Sequence, residues 1–280
     1  ATVDSSTGEI TNENSQIHVR NVRPGLGAAV RLRGKDGTEH VIILLDETTS
    51  ISLWKGEWQG RERLFLTRAN LLIDGSSLRL RTENPGDCSI AILPAPASLT
   101  DGHGKLPAKD DGLFRRFSGR VAPMEPLQAT VEQVQPAGPP RTIPIAPSVP
   151  SRHQGMAMQP EDEDFAQAGV WRVKLPAGVD PSRDLRLRVR YTGDVLRAYH
   201  GDKLLTDDFY NARPFEIGLR RYGSGMYQDG IVLKILPLRQ DAPIYFTDPS
   251  KLKFDENHAA LALEGVDVIE TREVRLAAAS

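Results

Sequence analysis

Between Val189 and Leu219 the chain reads VRYTGDVLRAYHGDKLLTDDFYNARPFEIGL, and its polar residues are of the kinds that handle sugars or metals. Asp194, Asp207, Asp208 and Glu216 offer carboxylates, and a pair of carboxyls about 5–5.5 Å apart is the machinery of retaining glycoside cleavage. Tyr199 and Tyr210, with Trp171 a little upstream, offer aromatic faces for stacking against a sugar ring. Asp208, Asn211 and Arg213 stand near them in the chain as partners for hydroxyls. Asp194, Asp207, Asp208, Tyr210 and Asn211 could also form a loop-borne metal site. Against these uses stands a structural one. Gly193 and Gly201 supply backbone freedom for turns, and Asp194 and Asp202 can cap backbone N–H groups, which makes the stretch a β-meander whose aspartates do turn work. Glu216 lies between Phe215 and Ile217 in a β-type run, so its side chain points away from theirs, toward an exposed face or an ion pair.

The elements that must position these residues read as β-strands. Short apolar runs separated by turn chemistry recur from residue 17 onward, among them IHVRNV, AAVRLRG, HVIILLD, RLFLTR, NLLIDG, LRLRT and SIAILP. Asp36-Gly37 and Asp74-Gly75 sit between such runs, and an Asp-Gly pair readily adopts the positive φ angles of tight hairpins. Leu78 and Leu80 alternate with Arg79 and Arg81. Leu185, Leu187, Val189 and Tyr191 alternate with Arg186, Arg188 and Arg190, as in sheets with one wet face. GIVLKILPL, from Gly230 to Leu238, is almost continuously apolar, as a central strand would be. The tail runs AALALEG and VDVIETREVRL could close the same sandwich. Strands at this spacing predict an all-β fold of two antiparallel β-sandwich domains, the second jelly-roll-like (galactose-binding-like).

The first domain is expected over 1–120 and the jelly-roll domain over 161–280. Between them, 121–160 holds nine of the twenty prolines. Proline fixes φ and donates no hydrogen bond, so this segment reads as a connection lying on the surface. Val131 and Val134 could form a short strand within it, and Thr142 to Ile145 is expected to pack on a domain. The acidic run Glu161 to Asp164 reads as a solvated edge, with a calcium site as the less favoured alternative because no EF-hand loop accompanies it.

Composition removes several function classes. A net charge of −2 over 280 residues supplies no field to draw in nucleic acid or an anionic membrane. No apolar run approaches the about 20 residues that span a bilayer. One cysteine, Cys88, allows no intramolecular disulfide and reads as core. The six histidines (18, 40, 103, 153, 200, 258) stand singly, so no metal site and no cofactor is expected. There is no Gly-x-Ser-x-Gly elbow, P-loop or His-Glu-x-x-His, and GHGK at 102–105 reads as a surface loop. The opening ATVDSSTGEI lacks an initiator Met and a leader pattern, so a removed signal peptide or a piece of a longer protein is expected.

YTGDVLRAYHGDKLLTDDFYNARPFEIGLRRY resembles a segment of the C-terminal jelly roll of bacterial glycoside hydrolase family 35 β-galactosidases. The similarity rests on Tyr191, Gly193 and Asp194, on Asp202, Lys203 and Leu204, and on Asp207, Phe209, Tyr210 and Asn211. Where that Asn is commonly followed by Gly, this chain has Ala212, which predicts a different turn. ISLWKGEWQGRERLFLTRANLLIDGSSLRLRT followed by SIAILPAP looks like the β-domain after the family's catalytic barrel. These are scaffold motifs. The resemblance implies that the catalytic glutamates lie outside these residues, in a barrel of the same polypeptide that is the expected partner, so no catalytic residue is assigned. A barrel takes on the order of 250 residues of alternating strands and helices, and no such alternation occurs here. The expected function is that of non-catalytic accessory domains of a β-galactosidase-like hydrolase, in a periplasmic or extracellular setting. Trp54, Trp58 and Phe65 are candidates for the docking face, with core the favoured place for Trp54. Two alternatives are a carbohydrate-binding module for galactose-containing glycans, using Trp171, Tyr199, Asp208, Tyr210, Asn211 and Arg213, and a self-contained glycosidase using Glu216 and Asp194.

Overall fold

The computed structural model describes residues 2–13, 16–84, 86–121, 125–147, 156–246 and 249–278. The parts of the Pro-rich connection at 122–124 and 148–155, with His153, lie outside them. The protein is all-β and divides into two compact units, Ala1–Met124 with Arg272–Ser280, and Glu125–Thr271.

The first unit is an antiparallel sandwich. Its five-stranded sheet runs in the order Ala108–Asp111, Phe114–Phe117, Ile90–Leu93, Arg61–Leu66, Leu53–Trp58. Its four-stranded sheet runs Leu99–Thr100, Arg272–Ala278, Ser77–Thr82, Asn70–Asp74. Trp58, Phe65, Ile90, Ile92 and Phe117 from one sheet pack on Leu71, Leu78, Leu80, Leu99 and Leu276 from the other. The alternation read at Leu78 and Leu80 puts both at 0 % exposure, while Arg79 on the other face donates to both carboxylate oxygens of Glu273 at 2.8 and 2.7 Å. Both Asp-Gly pairs make hairpin turns, between Ala29–Arg33 and Glu39–Ile43 and between Asn70–Asp74 and Ser77–Thr82. Trp58 and Phe65 are core. Trp54 is not: it is 40 % exposed on Leu53–Trp58, the last strand of its sheet.

The second unit is built on two antiparallel sheets of five and three strands, with Leu238–Arg239 and Ala259–Ala260 forming a further two-stranded pair. Five run in the order Thr130–Gln135, Gly169–Lys174, Ile231–Ile235, Val195–His200, Lys203–Phe209, and three in the order Phe215–Gly218, Leu185–Thr192, Ala262–Glu270. Trp171, Val173, Leu196, Leu233 and Ile235 of the larger sheet meet Leu185, Leu187, Val189, Tyr191 and Ile217 of the smaller one. Ile231–Ile235 is paired on both sides, which accounts for its apolar run. Thr130–Gln135 is an edge strand of this unit, so the proline-rich connection donates a strand to a sheet where its prolines leave a gap.

The tail differs from expectation. Ala262–Glu270 pairs with Leu185–Thr192 in the second unit, whereas Arg272–Ala278 pairs with Ser77–Thr82 in the first. The run VDVIETREVRL is thus divided, VDVIE continuing the strand that closes the second sandwich and REVRL entering the first. Each alternates well enough for either sheet, and only the register with long-range partners selects between them.

Candidate functional site

The turn at Thr192-Gly193-Asp194 is not part of a meander. Leu185–Thr192 belongs to the three-stranded sheet and Val195–His200 to the five-stranded one, so this turn is the corner where the chain changes sheets. Gly193 is required there for space, not for φ. A Cβ would stand 2.6 Å from Ile235 Cγ2 and 2.8 Å from the Leu236 carbonyl oxygen. Gly201 does supply backbone freedom, with φ +55° in the hairpin between Val195–His200 and Lys203–Phe209.

A corner that crosses the core buries its own polar residues. Asp194 is 3 % exposed, and its backbone N–H donates to Leu236 O at 2.8 Å while its own carbonyl accepts from Tyr210 N at 3.0 Å. Its carboxylate accepts from Arg141 Nε at 2.8 Å, with the two side chains 2 % and 4 % exposed. Arg141 Nη2 donates to Met158 O at 3.1 Å, and Nη1 lies 4.0 Å from Asp164 Oδ2. Burial pushes the Asp194 carboxyl above its ordinary value, and Arg141 pulls against that shift. This pair ties the proline-rich segment to the corner. Nothing in GPPRTIPI marks Arg141 for the task, because its partner is 53 residues away.

Tyr191, the last inward residue before the corner, carries the second polar cluster. Its hydroxyl donates to Asp208 Oδ2 at 2.8 Å, with Asp208 O at 3.1 Å. Burial raises the Tyr191 phenol and the Asp208 carboxyl alike above their ordinary values. For Asp208 the hydrogen bond from Tyr191 opposes burial, and Asp207 adds to it. The Tyr210 ring stands edge-on to Tyr191 at 5.3 Å between centroids and lies 5.9 Å from Phe246. At the rim Thr192 Oγ1 donates to Glu264 Oε1 at 3.0 Å and sits 3.5 Å from the Tyr210 hydroxyl. Phe246 and Glu264 were not legible in the sequence because they lie more than 30 residues from Tyr210 and Thr192, on a loop and on a strand of the tail.

The residues proposed for sugar contact thus divide. Asp208 and Tyr210 come together around Tyr191. Trp171 is 8 % exposed in the core and presents no face. The Tyr199 ring is covered by Lys234, whose Nζ lies 4.9 Å from its centroid. Asn211 is exposed, and its Oδ1 accepts from the backbone N of Arg213 at 3.0 Å, spanning Ala212 at φ +62°. Ala212 takes a left-handed conformation that Gly would adopt without strain, and the Asn211 side chain braces it. Arg213 is exposed. Glu216 does point away from the core, accepting from Arg186 Nη1 at 2.8 Å and from Arg188 Nε and Nη2 at 2.8 and 2.6 Å.

The acidic run at Glu161 to Asp164 is partly a solvated edge and partly a clamp. Asp162 accepts from Arg197 Nη1 at 2.6 Å, and that guanidinium lies 4.1 Å over the buried Phe165 ring. Among the described residues no three His, Cys, Asp or Glu side chains are grouped to hold a metal, and no helix is long and apolar enough to cross a membrane.

The chain matches no family model and no curated protein. The cluster fixes the corner and engages one oxygen each of Asp194 and Asp208.

Proposed function

We propose that the chain is a pair of non-catalytic β-sandwich modules of a glycoside hydrolase of the β-galactosidase type, supporting a catalytic barrel of the same polypeptide in a periplasmic or extracellular setting. The observation that carries this is the engagement of three of the four candidate carboxylates; the fourth, Asp207, is exposed on the edge strand Lys203–Phe209. Asp194 is held by Arg141, Asp208 by Tyr191, and Glu216 by Arg186 and Arg188. A general acid or nucleophile must be free to reach the scissile bond. Each of these instead faces a partner already within hydrogen-bond distance. The same economy holds for the aromatics, since Trp171 and Tyr210 pack and Tyr199 is capped. Trp54 of the first unit is exposed, as are Phe209 and Tyr245 of the second, at 53 % and 89 %. At 40 % exposure, with Leu72 and Ile73 of another edge strand at 40 % and 38 %, Trp54 supplies apolar surface of the sort a neighbouring domain covers.

The test is to assay the chain on a nitrophenyl β-galactoside and to add it to a separately produced family 35 catalytic barrel. No turnover by the chain is expected, together with a raised melting temperature of the barrel that Trp54→Ala diminishes. Turnover intrinsic to the chain, or a barrel whose melting is unaffected by it, overturns the proposal.

A further inference from the structure

A second feature lies in the first unit and is independent of the scaffold proposal. Beside the turn Glu47–Ser50, a cleft of about 550 Å³ is bounded by residues from the end of strand Arg61–Leu66 and from 82–89. That volume falls within the roughly 300–1,000 Å³ of small-ligand sites. Its most buried lining residues are Leu66, Thr67 and Ala69 at 6 %, 5 % and 7 % exposure and Cys88 at 2 %.

Its charged lining is of one sign: Arg68 and Arg116, with no carboxylate among the lining residues. The Arg116 guanidinium is committed, its Nε donating to Asp111 Oδ2 at 2.8 Å. Arg68 has no hydrogen-bond or ion-pair partner among the described residues, so the cleft keeps one uncompensated positive charge. Around it the lining is rich in hydroxyls and amides. Thr67 is occupied, donating to Ser89 O at 2.9 Å, and Thr49 donates to Asp46 at 2.8 Å. The Thr48 and Ser52 hydroxyls and the Asn84 amide have no partner among the described residues and remain available to a ligand.

A planar, always-charged guanidinium with a fork of N–H donors matches a carboxylate, and neutral hydroxyl and amide groups match alcohols. The geometry points to a binding site for a hydroxylated carboxylate, a sugar acid, with Arg68 on its carboxylate and Thr48, Ser52 and Asn84 on its hydroxyls.

The experiment is isothermal titration of the full chain with galacturonate and glucuronate, beside galactose, acetate and inorganic phosphate. Saturable binding of a uronate is expected, at least about tenfold tighter than galactose or acetate. Arg68→Met should weaken it about tenfold, as loss of one charge-assisted contact does. Arg115→Met, which removes an exposed arginine outside the cleft, should leave it unchanged. Because an arginine does not titrate in this range, binding should be flat from about pH 5 to about pH 8. Arg68 is exposed, so its variant keeps the fold, which the melting temperature checks. Absence of uronate binding overturns the assignment. So does acetate or phosphate binding as tightly as the uronate, which makes the site one for small anions. An equal loss in the two arginine variants also overturns it, since that is unspecific attraction.

Discussion

Arg141 and Asp194 are the most deeply buried ion pair described, at 4 % and 2 % side-chain exposure. Two charges removed from water hold each other only while both are present. Arg141→Ala should therefore cost about 3–5 kcal/mol, read from urea denaturation, because it strands a buried carboxylate. The double substitution Arg141→Met with Asp194→Leu should recover most of that loss, since an apolar pair of similar volume needs no compensation. Asp208 makes a different prediction. Its folded-state value is raised by burial, so the folded protein binds that proton more tightly than the unfolded chain. The associated stability is present at low pH and is lost as pH rises from about 4 through the raised value. Asp208→Asn keeps an acceptor for Tyr191 and removes the titration. Melting curves across this range should show the parent protein losing stability relative to Asp208→Asn. Parallel curves for the two would refute the assignment.

At the scale of elements, the corner between Leu185–Thr192 and Val195–His200 decides the second unit. Both strands carry inward apolar residues, and the chain must pass from one sheet to the other with Ile235 and Leu236 pressed against the turn. A methyl group at Gly193 meets Ile235 Cγ2 at 2.6 Å and the Leu236 carbonyl at 2.8 Å, and the second of these is backbone that cannot rotate away. Gly193→Ala should destabilise the protein by about 1–3 kcal/mol, the usual cost of overpacking. Gly201→Ala strains φ instead of packing, and its cost should be about 1–2 kcal/mol. Chemical denaturation of the two variants, with and without Ile235→Ala, which removes the clashing Cγ2, separates the mechanisms. Trimming Ile235 should relieve Gly193→Ala in part and leave Gly201→Ala untouched.

At the scale of the whole molecule, the first unit is completed by the far end of the chain. Arg272–Ala278 lies between Leu99–Thr100 and Ser77–Thr82, with Leu276 at 0 % exposure in the core. Deleting 272–280 should abolish the cooperative melting of the first unit while the second keeps its own transition in calorimetry, because the loss opens the middle of a sheet. The all-β class, most strand positions and the inward set Leu185, Leu187, Val189 and Tyr191 were legible in the residues. Period-two alternation and Asp-Gly turns are local properties, written wherever one face of a strand meets apolar neighbours and the other meets water. The outward direction of Glu216 followed from the same parity. Long-range choices were not legible. Which sandwich receives Arg272–Ala278, that Gly193 turns a corner between sheets, that Asp194 answers to Arg141, and that Trp54 stays exposed while Trp58 fills the core all depend on segments distant in the chain. Strands and their faces were settled by the residues alone, since those follow from neighbours two positions apart. Which strands pair, which carboxylates are spent on arginines and which arginine is left free in a cleft were settled by the tertiary structure, because burial and partnership exist only once remote segments meet.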